Sequence, residues 1–282
     1  MIAALGVLFI TPDALLVKIT SVESVVFLFW RGLFLAMSFL AIGLIRYRGS
    51  LGQEVRRCGW KGWFCAGAFA MSSLGFVMGM KNTSAGNVLV ILNTAPVIAA
   101  LIAWLFWRET LPRRTWAVIL ICITGATIIA AGEWGQGEPL GLIMAAVAAI
   151  ALASNLTVAR SKPDADMSVM LMFGALLVAI AAAAAGGAVI PSLHDGLFIA
   201  LLCLFFLPVA STLIQIGPRY IPAAEVSLML LLETVIGSFL VWLFLDEVPP
   251  KLSLIGGAIV FSALACHGWL EKYRRPVSSL LS

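Results

Sequence analysis

Residues 84–112 read SAGNVLVILNTAPVIAALIAWLFWRETLP, and residues 222–250 read PAAEVSLMLLLETVIGSFLVWLFLDEVPP. Laid together at a spacing of 138 residues, they match Ala85 with Ala223, Val88 with Val226, Val97 with Val235 and Ile98 with Ile236. The match continues through Trp104-Leu105-Phe106 with Trp242-Leu243-Phe244, Glu109 with Glu247 and Pro112 with Pro250. Apolar segments coincide at Ala, Leu and Val by chance, but a Trp-Leu-Phe run followed by Glu and Pro at fixed spacing points to duplication. A weaker alignment at a spacing of 142 pairs Asp13 with Asn155 and Lys18 with Arg160. The chain is therefore read as two copies of one unit, residues 1–134 and 135–282.

The solvent of this unit is lipid. Of 282 residues, 62% are hydrophobic and 11% charged, too few charges to cover a water-soluble surface of this length. The same proportions exclude a disordered chain, and five scattered cysteines exclude a disulfide scaffold. A membrane helix needs about 20 apolar residues to cross about 30 Å of hydrocarbon. Ten such runs are present, at residues 2–19, 22–45, 60–80, 85–107, 114–131, 140–159, 167–190, 196–216, 223–245 and 252–270. Their length favours helices over barrel strands, so the predicted fold is an all-α integral membrane protein of ten transmembrane helices. The first run has no charged leader and no small-residue cleavage signal, and reads as a span, not a signal peptide.

Each copy holds five spans, and five is odd, so the second copy must cross in the opposite sense from the first. The expected architecture is two inverted five-helix repeats. Lys and Arg in the loops orient it: fourteen fall on one side, among them Arg46, Arg56, Arg113, Arg160 and Lys272, and only Lys18, Lys81 and Lys251 on the other. This asymmetry puts both termini in the cytoplasm of a multi-pass plasma (inner) membrane protein. It also accounts for the basic net charge without a nucleic-acid partner, since the charges form short clusters and no continuous stripe.

Inverted halves around a site near the midplane are a transporter architecture. The segments Asn93-Thr-Ala-Pro-Val through Trp104-Leu-Phe-Trp-Arg-Glu109 and Leu232-Glu-Thr-Val through Trp242-Leu-Phe-Leu-Asp-Glu247, with ten spans and an early Arg31 in the second, resemble the two EamA repeats of the drug/metabolite transporter superfamily. The resemblance covers nearly the whole chain and implies a secondary transporter of small metabolites, with export as the direction. One departure is Thr234 after Glu233, where the family often carries proline, so the break that Pro96 gives the fourth span has no counterpart in the ninth.

Polar residues inside spans are costly and mark candidate sites. Asp13 follows Pro12, which removes a backbone hydrogen bond and kinks the first span; it reads as a cavity carboxylate or as an interfacial anchor near Lys18. Glu233 lies about 11 residues into the ninth span with no base nearby in sequence. It is the candidate coupling carboxylate if transport is proton-coupled, or a protonated interhelical hydrogen-bond partner. Glu225 reads as interfacial. Arg31 either attracts a substrate carboxylate or is the standing partner of Asp13 or Glu233. In the fourth span, Thr83, Asn87 and Thr94 fall within about 40° of one another at 100° per residue, so Asn87 and Thr94 are taken as cavity residues and Asn93 as an interhelical bond. Ser72, Ser73, Phe76, Met80, Asn155 and Gln215 are wall candidates. Gly75 and Gly79 have the spacing of a close helix contact, and Glu109 and Glu247 read as interfacial caps.

The expected partners are a small-molecule substrate, protons and the lipid bilayer, with no nucleotide, since no phosphate-binding glycine loop is present. No cofactor or metal is expected, because His194 and His267 lack companion ligands. A membrane-embedded enzyme or a lipid flippase acting on an amphiphile is the competing reading. An enzyme would cluster an acid, base or nucleophile at one interface, whereas the strongest polar residues here are dispersed and deep.

Overall fold

The computed structural model describes residues 2–83, 85–108, 113–132, 139–221 and single or paired positions between 226 and 266. Glu109, Gln136, Glu225, Thr234, Glu247 and His267 lie outside the described residues. Helices α1 (Ile2–Ile10), α2 (Pro12–Ile19), α3 (Ser24–Tyr47), α4 (Leu51–Asn82), α5 (Ala85–Leu92), α6 (Ala95–Trp107) and α7 (Arg113–Gly132) build the first half. Helices α8 (Pro139–Arg160), α9 (Leu171–Ala184), α10 (Leu193–Leu201) and α11 (Leu207–Ile216) follow in the second. No β-strand occurs among the described residues.

Among the described residues, five segments are long and apolar enough to cross a membrane: Ser24–Tyr47, Leu51–Asn82, Pro139–Arg160, Met167–Ala184 and Leu193–Arg219. The 24 residues of α3 extend about 36 Å at the helical rise, enough to cross the hydrocarbon. Of the remaining predicted runs, the fifth is a single helix, α7, while the first and the fourth are helical but interrupted. The first is divided between α1 and α2 at Thr11, whose hydroxyl donates to the Val7 carbonyl at 2.9 Å, because Pro12 has no N–H to continue the ladder. The fourth is divided at Asn93 and Thr94, just ahead of Pro96. The run predicted at 167–190 ends its helix at Ala184, where Gly186 turns the chain with φ of 86°. Within α4, Gly59 takes φ 60° and ψ −153°, so Leu51–Cys58 forms a short separate helix ahead of the span proper.

The three main helix pairings each join the two halves: α4 runs along α8, α3 along α9, and α1 along α11. Glycine permits the closest of these. A Cβ on Gly32 would stand 2.6 Å from the Ala179 nitrogen and 2.7 Å from the Ala175 carbonyl oxygen; one on Gly75 would stand 2.5 Å from the Met144 carbonyl oxygen. The interior holds Phe27, Leu35, Leu89, Leu171, Leu202 and Leu207, while Ile45, Trp60, Phe106 and Ile190 are among many large apolar side chains on the outside. That inversion of the soluble pattern, apolar outside with Asp13, Arg31, Asn155, Gln215 and Glu233 buried, fits a multi-pass protein surrounded by lipid.

Candidate functional site

A cavity lies between the halves, lined by residues of both. The break at Thr11, ahead of Pro12, delivers Asp13 from the first turn of α2, and α3 delivers Arg31 and Leu35. Phe69, Ser72, Ser73 and Phe76 come from α4, spaced three and four residues apart on one helix face. Leu89, Leu92, Asn93 and Ala95 come from the α5–α6 junction, Leu152, Asn155 and Leu156 from α8, and Ser211, Ile214 and Gln215 from α11. Leu230 and Glu233 face it from the ninth predicted span.

Two polar pairs organise its wall. Arg31 donates from Nη1 to Asp13 Oδ1 at 2.6 Å and from Nη2 to Asp13 Oδ2 at 2.9 Å, a bidentate fork. Its Nε donates to Ser73 Oγ at 3.3 Å, and the guanidinium stands 5.8 Å from the Phe76 ring centroid. A buried arginine in lipid needs all of these, and together they fix its geometry. On the facing side Gln215 Nε2 donates to Asn155 Oδ1 at 2.8 Å. Glu233 is 8% exposed. Its backbone N–H donates to the Leu230 carbonyl at 3.0 Å, and among the described residues its carboxyl has no hydrogen-bond or ion-pair partner.

The structure thus brings Asp13, Arg31, Phe76, Asn155, Gln215 and Glu233 to one cavity, together with Ser72 and Ser73. Asn87 and Thr94 are not among the lining residues: Asn87 Nδ2 donates to Thr83 Oγ1 at 3.3 Å, and Thr94 Oγ1 donates to the Ile91 carbonyl at 2.7 Å. Met80 is buried in the core instead. Ser211, which the sequence reading passed over, stands one turn before Gln215 and shares its face. That i, i+4 relation is the signal that would have found it.

Each end of the bundle carries its own polar cluster joining the two halves. At one end Asp166, 1% exposed, accepts from the Tyr47 hydroxyl at 2.6 Å and the Ser168 N–H at 3.0 Å and pairs with Arg46 Nη1 at 3.0 Å. Its own N–H donates to Glu54 Oε1 at 2.9 Å. Burial works against charge on Asp166, but Tyr47, Ser168 and Arg46 outweigh it and hold the carboxyl below the ordinary carboxylate range. At the other end Asp195 accepts from the Ser21 N–H and hydroxyl, both at 3.1 Å, and from the Ser192 hydroxyl at 2.9 Å.

A charged cavity inside an apolar bundle is the arrangement of a membrane protein that handles solutes. The EamA-like transporter family matches this sequence twice, over residues 1–131 and 139–268, and the chain belongs to that family. It is 21% identical over 217 residues to the uncharacterized transporter YdfC of Bacillus subtilis (strain 168), covering 72% of this chain and 71% of that one. A solved crystal structure superposes with a TM-score of 0.78 over 95% of this chain and 96% of the other at 16% identity, a likeness of fold. A general role in transport follows from the family.

Proposed function

We propose that this protein is a secondary transporter that moves small metabolites, amino acids or related amphiphiles, across the plasma membrane by alternating access, in the direction of export and with both termini cytoplasmic. The observation that carries the reading is the cavity, whose wall is assembled from both halves of the chain and combines charged, amide and apolar side chains. The pairing of helices supports the inverted arrangement. The third span of the first half lies along the first of the second, the first span of the first half lies along the third of the second, and the two second spans lie together. Exchanging the halves maps these contacts onto themselves, as a two-fold relation in the membrane plane requires. The same exchange supplies the second access state at little cost, because each half can take the conformation of the other.

The test is counterflow in proteoliposomes loaded with unlabelled solute and presented with labelled amino acids, nucleosides or amines. One solute class should accumulate transiently in vesicles holding the protein and not in empty ones. Stoichiometric chemical conversion of a lipid-linked substrate, with no solute flux, would replace this reading by the enzymatic one.

A further inference from the structure

Among its described lining residues the cavity holds one more acid than base. Arg31 is the one basic residue among its described lining residues, and every other Lys or Arg of the chain lies in a connection, a tail or near the end of a predicted span. Arg31 is already committed. Asp13 occupies both arms of its fork, Ser73 its Nε, and Phe76 one face of the guanidinium. A substrate carboxylate could take the fork only by evicting Asp13, and an evicted Asp13 would remain a buried, uncompensated charge. The pair therefore acts on a ligand as a neutral unit.

Glu233 is the opposite case. It faces the same space, is more than nine-tenths buried, and its carboxyl has no partner among the described residues. An ion-paired ligand group would relieve the cost of a lone carboxylate at this depth. The nearby surfaces suit an apolar body: Phe69, Leu152, Leu207 and Leu230 line the cavity, and aromatic faces are compatible with a neighbouring cation. The Asn155–Gln215 pair leaves Gln215 Oε1 as an acceptor and Asn155 Nδ2 as a donor, so it orients a ligand without favouring either charge and leaves that choice to Glu233.

We infer that the cavity selects small organic cations, an ammonium group seated against Glu233 with an apolar body among Phe69, Leu152 and Leu230, and that it discriminates against zwitterions and anions. This rests on the transporter reading above and narrows its substrate class. Within amino-acid chemistry it favours amines and esters, whose carboxylate is absent or masked, over the free amino acids themselves.

Three probes share one ring and differ in charge: phenethyltrimethylammonium, a permanent cation that cannot leak as a neutral amine; phenylalanine, a zwitterion; and 3-phenylpropionate, an anion. Binding to the purified full chain is measured by ligand-induced rise in Tm and by tryptophan fluorescence, and flux by counterflow in proteoliposomes. The cation is expected to bind at least tenfold more tightly than phenylalanine, with no response to the anion. Glu233→Gln is expected to lose at least tenfold in affinity for the cation while its ligand-free Tm holds. If that variant fails to fold, Glu233→Asp should fold, keep the preference for the cation and change its affinity. Phenylalanine binding as tightly as the cation, or undiminished cation affinity in Glu233→Gln, overturns the assignment, while phenylalanine counterflow would leave transport standing. Absence of cation binding together with exchange of any neutral or anionic metabolite also overturns the assignment alone. Absence of exchange of every solute by correctly inserted protein removes both readings.

Discussion

Arg31 and Asp13 are each intolerable alone in lipid and stable together, and this reciprocity makes the pair testable. Removing one partner of a buried ion pair leaves the other uncompensated and costs about 3–5 kcal/mol, whereas replacing both by neutral groups is far milder. Asp13→Asn and Arg31→Gln should each lower Tm and folded yield strongly, and the double variant should recover a large part of the loss. Strictly additive losses would show that the two side chains stabilise the bundle independently, contrary to their bidentate contact at 2.6 and 2.9 Å. Asp166 makes a second residue-scale prediction, from its depressed ionisation. With the folded value below the unfolded one, its contribution is complete above the unfolded value near about pH 4 and is lost as pH falls through the folded value. Asp166→Asn should cost about 2–3 kcal/mol near neutrality, the scale of hydrogen bonds to a charged group. The Tm gap from wild type should stay level down to about pH 5 and narrow below about pH 4. A gap that widened in acid would assign the charge to another group. The rule that a charge within a span must serve something made Asp13, Arg31 and Glu233 legible in the sequence, but it does not choose partners. The pairing of Arg31 with Asp13, leaving Glu233 out, depends on how three helices meet.

At the scale of the element, two proline breaks shape the site, and they differ in how openly the sequence declares their consequences. Proline declares itself: Pro12 and Pro96 mark the junctions that bring Asp13 and Asn93 to the cavity. The consequence of Pro96 for side-chain direction is harder to read. Counting 100° per residue through an unbroken fourth span puts Asn87 and Thr94 on one face and Asn93 on another. In the structure the Thr94 N–H bonds to the Ile91 carbonyl, a tighter turn than the α-helix, and α6 restarts with a new phase. Asn93 then lines the cavity, while Asn87 bonds back to Thr83 at the end of α4 and Thr94 to the Ile91 carbonyl of α5. The close helix pairs are testable through glycine. Gly75→Ala would place a methyl group 2.5 Å from the Met144 carbonyl oxygen, so α4 and α8 must separate and Tm should fall by the equivalent of about 1–3 kcal/mol. Gly67 lies on the same helix with nothing within 4 Å of a Cβ. There alanine should be neutral or stabilise by about 0.5–1 kcal/mol through helix propensity. Equal losses at both positions would mean that the tight α4–α8 contact contributes nothing of its own.

For the whole molecule, orientation and gating are linked. In the orientation proposed above from the fourteen-to-three division of Lys and Arg, the Asp166 end faces the cytoplasm and the Asp195 end the opposite side. In a cysteine-free background, Gln53→Cys should then react with impermeant reagent only from the cytoplasm and Gln136→Cys only from outside; the reverse pattern would invert the topology. Each end is held by an acid of the second half gripping the first: Asp166 takes Tyr47 and Arg46, and Asp195 takes Ser21. The Asp166 end is the more heavily tied, since Lys61 also donates to Ser161 Oγ at 2.9 Å and Lys162 donates to the Arg57 carbonyl. A transporter that opens its ends in turn must break one cluster while keeping the other, and the free-energy difference between them biases the resting state. Asp166→Asn should therefore raise the reactivity of Ser211→Cys, a cavity position, toward reagent from the cytoplasm and lower it from outside. Asp195→Asn should shift reactivity the other way. The opposite signs matter more than either magnitude, because loss of packing alone would raise reactivity from both sides. Parallel increases in the two variants would show that these clusters only stabilise the bundle and do not set which end is open.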